Sequence, residues 1–218
     1  MIKLLFFIQC TFITTYFCYA QKNIDSFYFK SPQPNHIEEV NSFDETIHGC
    51  YYKNTDSLIQ VCISSDSIYT KYSIILTIPK INLKNKGYSI EDSLLHGIKD
   101  KKGIPFREIN DTLYGILQQT SLFFKIDSNS VLKVDNGNYY LNELHQEKYY
   151  STIEISKNKE KLFIKECDHQ QKQFPNKDLN IDEIIEKKQK ILLANPNEMN
   201  WINFIKNNGF NEQTLYHQ

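Results

Sequence analysis

One short cluster in the sequence holds a nucleophile, an acid and a base: Cys167-Asp168-His169. If this segment is extended, Cys167 and His169 share a face, because alternate residues of a strand point to the same side. A cysteine nucleophile, however, normally draws its histidine base from elsewhere in the fold. We therefore assign no catalytic residue to this cluster.

Longer motifs for catalysis or metal binding are missing from the sequence. It has no Gly-x-Ser-x-Gly elbow, no His-Glu-x-x-His pair, no phosphate loop and no Cys-x-x-Cys pair. The six histidines are scattered, and seven glycines do not indicate a cradle for a cofactor. We predict no metal and no cofactor. A non-catalytic binding function is favoured over the alternative, a secreted or periplasmic hydrolase with dispersed catalytic residues.

Three tyrosine pairs are the best candidates for contact with a ligand or a partner. On strands, each pair would send one ring inward and the other outward. Aromatic rings on a sheet face can stack on a sugar ring or anchor a protein partner. The pairs can equally lie beneath C-terminal helices, and we favour this interpretation because Trp201 and Phe204 need a cover. The pairs are Tyr51 and Tyr52, Tyr139 and Tyr140, and Tyr149 and Tyr150.

Three cysteines follow the first twenty residues: Cys50, Cys62 and Cys167. In an oxidising compartment this odd number allows at most one internal disulfide. If residues 48–54 and 58–63 form a hairpin, Cys50 lies opposite Cys62 at a Cα separation that a disulfide accepts. The open alternative is that these two are buried apolar thiols.

The first twenty residues have the pattern of a signal peptide. Lys3 precedes an apolar stretch over residues 4–17, shorter than the about 20 residues that a bilayer span needs, and Ala20 ends a Cys-Tyr-Ala cleavage sequence. We expect an exported protein, periplasmic, cell-surface or secreted, that begins at Gln21. The alternatives are an uncleaved anchor and lipid attachment at Cys18, and only these would bring the protein to a membrane.

Without the 20-residue leader, 198 of the 218 residues remain, which is the size of one ordinary domain. We assign residues 21–45 to a lead-in segment and residues 46–218 to a single β-rich domain. The formal net charge is −1, and Arg107 is the only arginine. Because arginine is favoured for contacts to phosphates and base edges, we predict that nucleic acid is not a partner, which leaves an unknown small molecule or protein.

Short apolar segments separated by turn residues predict an antiparallel meander over residues 112–165. Its clearest hairpin turns through Asn136-Gly137, which supply the two positive-φ positions of a type I′ turn. Earlier strands are expected over residues 49–52, 58–63 and 68–78. Between them and the meander, Ser89 is expected to cap a short helix from Ile90 to about His96.

Two helices are expected near the C-terminal end, within about residues 180–207. Asn180 and Glu183 form the capping box of the first, and Asn195 with Pro196 starts the second. Their apolar stripes need a cover that only the sheet is large enough to provide.

This order of features resembles a lipocalin-type barrel, a family whose members bind small apolar ligands in a cup. The resemblance covers about residues 49–205. Where that family has Gly-x-Trp the chain reads Gly49-Cys50-Tyr51, and Arg107 precedes the meander instead of lying near its final strand. We predict a mainly β (α+β) protein whose eight or nine strands form a barrel-like or sandwich sheet with two helices packed on it, and the strand count fits an open sheet as well.

Overall fold

The computed structural model describes residues 26–53, 58–98, 102–167, 179–187, 189–210 and 212–218. The protein is mainly β, as predicted. The strands are β1 Ser26–Phe29, β2 Glu39–Val40, β3 Gly49–Lys53, β4 Ile59–Ile63, β5 Ser67–Pro79, β6 Ser89–Glu91, β7 Leu94–His96, β8 Ile104–Ile109, β9 Thr112–Lys125, β10 Ser130–Asp135, β11 Asn138–His145, β12 Tyr149–Asn158, β13 Lys161–Glu166, β14 Ile181–Glu186, β15 Gln189–Ala194 and β16 Glu212–His217. Helix α1 is Glu198–Lys206.

All the strands belong to one sheet, antiparallel except where β1 runs parallel to β15. Its main path has the order β14-β15-β1-β12-β13-β16-β3-β4-β5-β9-β8-β7-β6, and β11, β10 and β2 follow one another from the second edge of β12. The sheet is not closed, so the barrel that the lipocalin resemblance implied is not formed. The described residues form sixteen strands, in place of the eight or nine that were predicted.

The meander from β9 to β13 contains the predicted hairpin turn. Asn136 and Gly137 have φ angles of 51° and 77°, the two positive values that a type I′ turn requires. The predicted meander begins with one long strand, β9, over Thr112–Lys125. Its partner β5 is equally extended, and the two form the longest hairpin of the sheet.

The main core lies where β3, β4 and the inner halves of β5 and β9 pack against β10 to β13 and β16. Its members are fully or almost fully buried, and Tyr51, for example, donates a hydrogen bond from its hydroxyl to the Ile47 carbonyl at 2.8 Å. Burial of this apolar surface is the main stabilising contribution that the fold offers. The buried members are Phe43, Ile47, Tyr51, Val61, Ile63, Ile68, Phe124, Leu132, Tyr139, Leu141, Ile155, Leu162, Ile164 and Tyr216.

A second core lies on the opposite face of β11 and β12, beneath α1. Asn197 caps the helix by accepting a hydrogen bond from the Asn200 N–H at 2.9 Å, two residues later than the predicted cap. Trp201 and Phe204 project from the helix onto β1 and β11, so the sheet does cover them. The buried members are Phe27, Phe29, Tyr140, Cys167, Leu179, Ala194, Trp201, Phe204 and Phe210.

The prediction of two C-terminal helices is wrong, since the described residues contain α1 alone in that region. Residues Ile181–Glu186 and Gln189–Ala194 form the hairpin β14–β15 instead. Asn180, expected as a helix cap, has a φ of 48°, and Lys187 at the hairpin turn has the same value. The isoleucines of this segment fit the apolar spacing of either a helix or a strand. Pairing of β15 with β1 favours the strand.

The lead-in segment is held to the sheet by two buried polar side chains. Asn142 accepts a hydrogen bond from the Gln33 N–H at 2.7 Å and donates to the Gln33 carbonyl at 2.9 Å, so its amide pairs with that residue as a neighbouring strand would. Lys133 donates from Nζ to the Pro34 carbonyl at 2.9 Å. Burial lowers the pKa of Lys133, and Glu39 partly offsets this.

The outer halves of β5 and β9 project from the main core as a two-stranded arm. At its tip, β6, β7 and β8 enclose a small third core of Ile78, Leu95 and Leu113. The short helix expected from Ile90 is the β6–β7 hairpin, because Asp92 and Ser93 take φ angles of 50° and 62° and form a tight turn. Leu95 is thereby buried in the tip core.

Cys50 and Cys62 lie directly opposite each other on β3 and β4 and are joined by a disulfide, with a Cα–Cα distance of 4.0 Å. We expect replacement of both cysteines by alanine to lower the free energy of unfolding by about 3 kcal/mol, because the bridge restricts the unfolded chain. Urea unfolding monitored by circular dichroism measures this. A phosphine reductant should lower the stability of the wild type and leave the double variant unchanged, whereas three free thiols in the oxidised protein would contradict the bridge.

Candidate functional site

A pocket of about 230 Å³ opens at one edge of β12. Two strands pair with this edge of β12: β1 at Tyr150, and β13 from Ile153 onward. Strand β11 pairs along the opposite edge. Ser151 and Thr152 therefore lie between two strands that meet the same edge. The pocket is lined by Phe27, Tyr28, Phe29, His145, Ser151, Thr152, Ile153, Glu166 and Cys167.

Three polar side chains of the pocket share one face of the sheet, while Thr152 lies on the opposite face, where its hydroxyl donates to Asn142. His145 pairs with Tyr149 and Glu166 pairs with Ile153, which places their side chains on the same side as Ser151. Nε2 of His145 lies 2.8 Å from Oγ of Ser151, and which of them donates depends on the histidine tautomer. Glu166 is exposed, so the pocket has a carboxylate on its solvent side.

Aromatic rings form the second feature of the pocket. Tyr28 lies with its ring centroid 5.2 Å from that of His145 and 6.1 Å from that of Tyr149, on which it stacks. The Tyr149 hydroxyl donates to Glu186 at 3.1 Å, and Lys148 binds the same carboxylate oxygen at 2.8 Å. These two contacts lower the pKa of Glu186 and hold the Tyr149 ring beside the pocket.

Glu143 stands beside the histidine on β11, opposite Ser151. Burial raises the pKa of its carboxyl, and interaction with His145 partly counters the shift. Glu143, His145 and Ser151 thus bring an acid, a base and a hydroxyl to one face of two adjacent strands. Such a set is chemically able to move a proton from the serine, although the serine lies in a regular strand and not at an exposed turn.

Cys167, the nucleophile of the short cluster in the sequence, is buried against the second core. Burial raises the pKa of its thiol, and the negative charges of Glu154 and Glu166 raise it further. A thiol in that state is not an activated nucleophile. Asp168 and His169 lie outside the described residues.

The six tyrosines proposed for ligand contact occupy different environments. Tyr51 and Tyr139 are buried in the main core, while Tyr140 is buried in the second core, 5.4 Å from the Trp201 ring. Tyr150 packs against that second core as well, and Tyr52 is 38% exposed on β3. Tyr139 and Tyr140 are both buried because β11 is covered on both faces. The remaining ring, Tyr149, is the one that the structure brings beside the pocket.

No local pattern in the sequence marks the residues that meet in the pocket. Tyr28 comes from the lead-in segment, His145 is one of six scattered histidines, and Ser151 follows a tyrosine pair without any motif. Only the pairing of β1 with β12, 121 positions apart at Phe29 and Tyr150, brings them together. Reading for clustered motifs could not find such a site.

No protein-family model, no curated protein and no solved structure matches this chain. Across the described ranges, no helix is both long enough and apolar enough to cross a bilayer. Nor does that part of the chain contain a group of three His, Cys, Asp or Glu side chains placed to hold a metal ion. The pocket geometry is therefore the basis on which a function is proposed.

Proposed function

We propose that the protein is an exported, non-catalytic β-sheet module that binds a small hydroxyl-bearing ring, such as a monosaccharide, in the β1–β12 pocket. The observation that carries the proposal is the convergence of Tyr28, His145 and Ser151 at its wall. An aromatic face beside hydrogen-bonding groups suits a sugar, which has an apolar ring face and polar hydroxyl edges. Glu166 supplies a further acceptor.

The size of the pocket supports a single ring. A volume of about 230 Å³ lies below the roughly 300–1,000 Å³ of pockets that enclose drug-sized ligands, so the pocket is too small to enclose a lipid or another large apolar ligand. The lining mixes aromatic and polar side chains, unlike the apolar cup that the lipocalin resemblance implied. We therefore propose a polar ring-shaped ligand in place of a purely apolar one.

Binding is testable with methyl glycosides of glucose, galactose and N-acetylglucosamine, by saturation-transfer NMR followed by titration. We expect saturable binding of one of these sugars, weakened about tenfold in Tyr28→Ala through loss of ring stacking. Ser151→Ala should also weaken it, by loss of a hydrogen bond. Tyr52→Ala is the matched control, because it removes an exposed tyrosine outside the pocket. Equal effects of the two tyrosine variants, or no saturable binding, would refute the sugar site.

A secreted or periplasmic hydrolase is the second candidate, and the contact between His145 and Ser151 is the observation that favours it. A fluorophosphonate probe distinguishes the two functions, since it modifies only serines activated by a base. The non-catalytic proposal requires that Ser151 stay unlabelled. Labelling that is lost in Ser151→Ala and kept in Ser156→Ala, on the same strand, would establish the hydrolase instead.

Export is the remaining part of the proposal, and it is supported by the leader pattern and by the Cys50–Cys62 disulfide. Expression of the full chain in a secreting host should yield a protein whose intact mass corresponds to a start at Gln21. A mass that includes residues 1–20 would show an uncleaved leader. A lipid-sized increment on Cys18 would replace secretion with membrane anchoring.

A further inference from the structure

The two-stranded arm of β5 and β9 leaves large apolar side chains uncovered on both faces. Ile75 and its cross-strand partner Ile116 are each 57% exposed, and Ile74 on the other face is 44% exposed. Exposed apolar side chains grouped on one thin element are typical of an interaction surface.

One edge of the arm is also without a strand neighbour among the described residues. Strand β4 pairs with β5 only as far as Tyr72, and the Ser73 N–H donates to the Leu58 carbonyl at 2.7 Å. Because main-chain groups alternate in direction, the N–H and C=O groups of Ile75 and Thr77 point to this same edge. Pro79 then ends the edge, since it has no N–H to offer.

The edge lacks the charges with which natural proteins usually protect exposed strands. Lys71 is the only charged residue of β5, and β9 carries none before Lys125. An identical strand therefore meets no like-charge repulsion along this edge. The free stretch also matches itself, because two copies that pair antiparallel about Thr77 provide a carbonyl acceptor for each free N–H of Ile75 and Thr77. This match favours a second copy of this chain as the occupant.

We propose that the protein forms a two-fold symmetric dimer in which the free β5 edges of two copies pair antiparallel, with Thr77 opposite Thr77 of the partner subunit. In this register the two threonines exchange two main-chain hydrogen bonds. The Ile75 N–H of each copy donates to the other copy's Pro79 carbonyl, which adds two more. The proposal is independent of the ligand pocket.

The register follows from what already occupies the edge. Leu58 lies opposite Ser73, so the second copy cannot extend that far without colliding with β4. Centring on Thr77 places the other copy's Pro79 opposite Ile75, two residues clear of Ser73. It also pairs Leu76 with Ile78 across the axis. The dimer covers apolar side chains that the single chain exposes, as strand addition at a sheet edge does in general.

Sedimentation velocity of the full chain, from about 1 to 100 μM, tests the proposal because dimer formation depends on concentration. We expect a dimer in the wild type. Thr77→Glu, which sets two carboxylates against each other at the axis, should raise the dissociation constant at least about tenfold. Thr120→Glu is the matched control: the same exposed residue on β9, placed opposite Lys71, should leave the dimer intact.

A second measurement keeps the proposal testable if Thr77→Glu fails to fold. Thr77→Cys should form a cross-link to itself under mild oxidation, recovered as a 77–77 peptide by mass spectrometry, and Thr120→Cys should not. A wild type that stays monomeric over the whole range would overturn the proposal. Equal loss of the dimer in both glutamate variants, or open-ended oligomers in place of a dimer, would also overturn it.

Discussion

Replacement of Asn142 by leucine should lower the free energy of unfolding by about 4 kcal/mol, a large part of the stability of an ordinary domain. Asn142 is fully buried and holds both main-chain groups of Gln33. It also accepts a hydrogen bond from the Thr152 hydroxyl at 2.7 Å. Leucine has a similar size but leaves these three buried partners unsatisfied, and each such group costs about 1–3 kcal/mol.

Urea unfolding followed by far-ultraviolet circular dichroism measures this effect. Asn158→Leu is the matched control, because Asn158 ends β12 as an exposed residue and its replacement should change the stability by less than about 0.5 kcal/mol. If Asn142→Leu lowered the free energy of unfolding as little as the control does, the amide of Asn142 would not be what holds the lead-in segment to the sheet.

Trp201→Ala should destabilise the protein by about 3–5 kcal/mol, since it removes the largest side chain of the second core. The indole is 1% exposed, and its ring lies 5.4–5.9 Å from the rings of Tyr140, Phe204, Phe29 and Phe210. The cavity left by alanine cannot be refilled by strands that already pair on both sides.

Trp201→Phe should cost much less, about 1–2 kcal/mol, for a specific reason. Among the described residues, the buried Nε1 of Trp201 has no hydrogen-bond partner, so phenylalanine loses volume but also removes an unsatisfied N–H. Met199→Ala, on the exposed side of the same helix, serves as the control. Thermal unfolding of the three variants gives the order, and equal losses for alanine and phenylalanine would contradict the argument.

Replacing Trp201 by alanine should affect the pocket as well as the stability of the protein. Phe27 and Phe29 of β1 pack in the second core with Trp201, while Tyr28 between them faces the pocket. Loosening that core therefore loosens the aromatic wall of the proposed sugar site. We expect Trp201→Ala to weaken sugar binding even at temperatures where the protein remains folded.

Two segments that were predicted to be helices form hairpins instead, and both do so for the same physical reason. Residues 180–193 carry a capping pattern and an apolar stripe, yet they form a hairpin because β15 gains a partner in β1, far away in sequence. Residues 90–96 turn at Asp92 and Ser93 so that Leu95 reaches the core at the arm tip. The intrinsic preferences of residues for helix differ by fractions of a kcal/mol per residue. The free energy gained by burying an apolar side chain in a tertiary core is larger.

The site escaped prediction for a related reason. Its side chains come from β1, β11 and β12 and from the end of β13, so their proximity depends on pairings across most of the chain. The tyrosine pairs were visible in the sequence, but a sheet that is covered on both faces buries Tyr139 and Tyr140 alike. Only Tyr149 lies beside the pocket.

By itself, the sequence determined the features that depend on neighbouring residues: the β-rich character, the type I′ turn at Asn136 and Gly137, the register that sets Cys50 opposite Cys62, and the second C-terminal helix. These depend on backbone conformations and side-chain alternation within a few residues, which the sequence states directly. The tertiary structure alone decided that the sheet stays open, that residues 181–194 are strands and that Tyr28 meets His145. Those outcomes depend on which distant strands pair, and the free energy that selects among pairings comes from burial that no local pattern records.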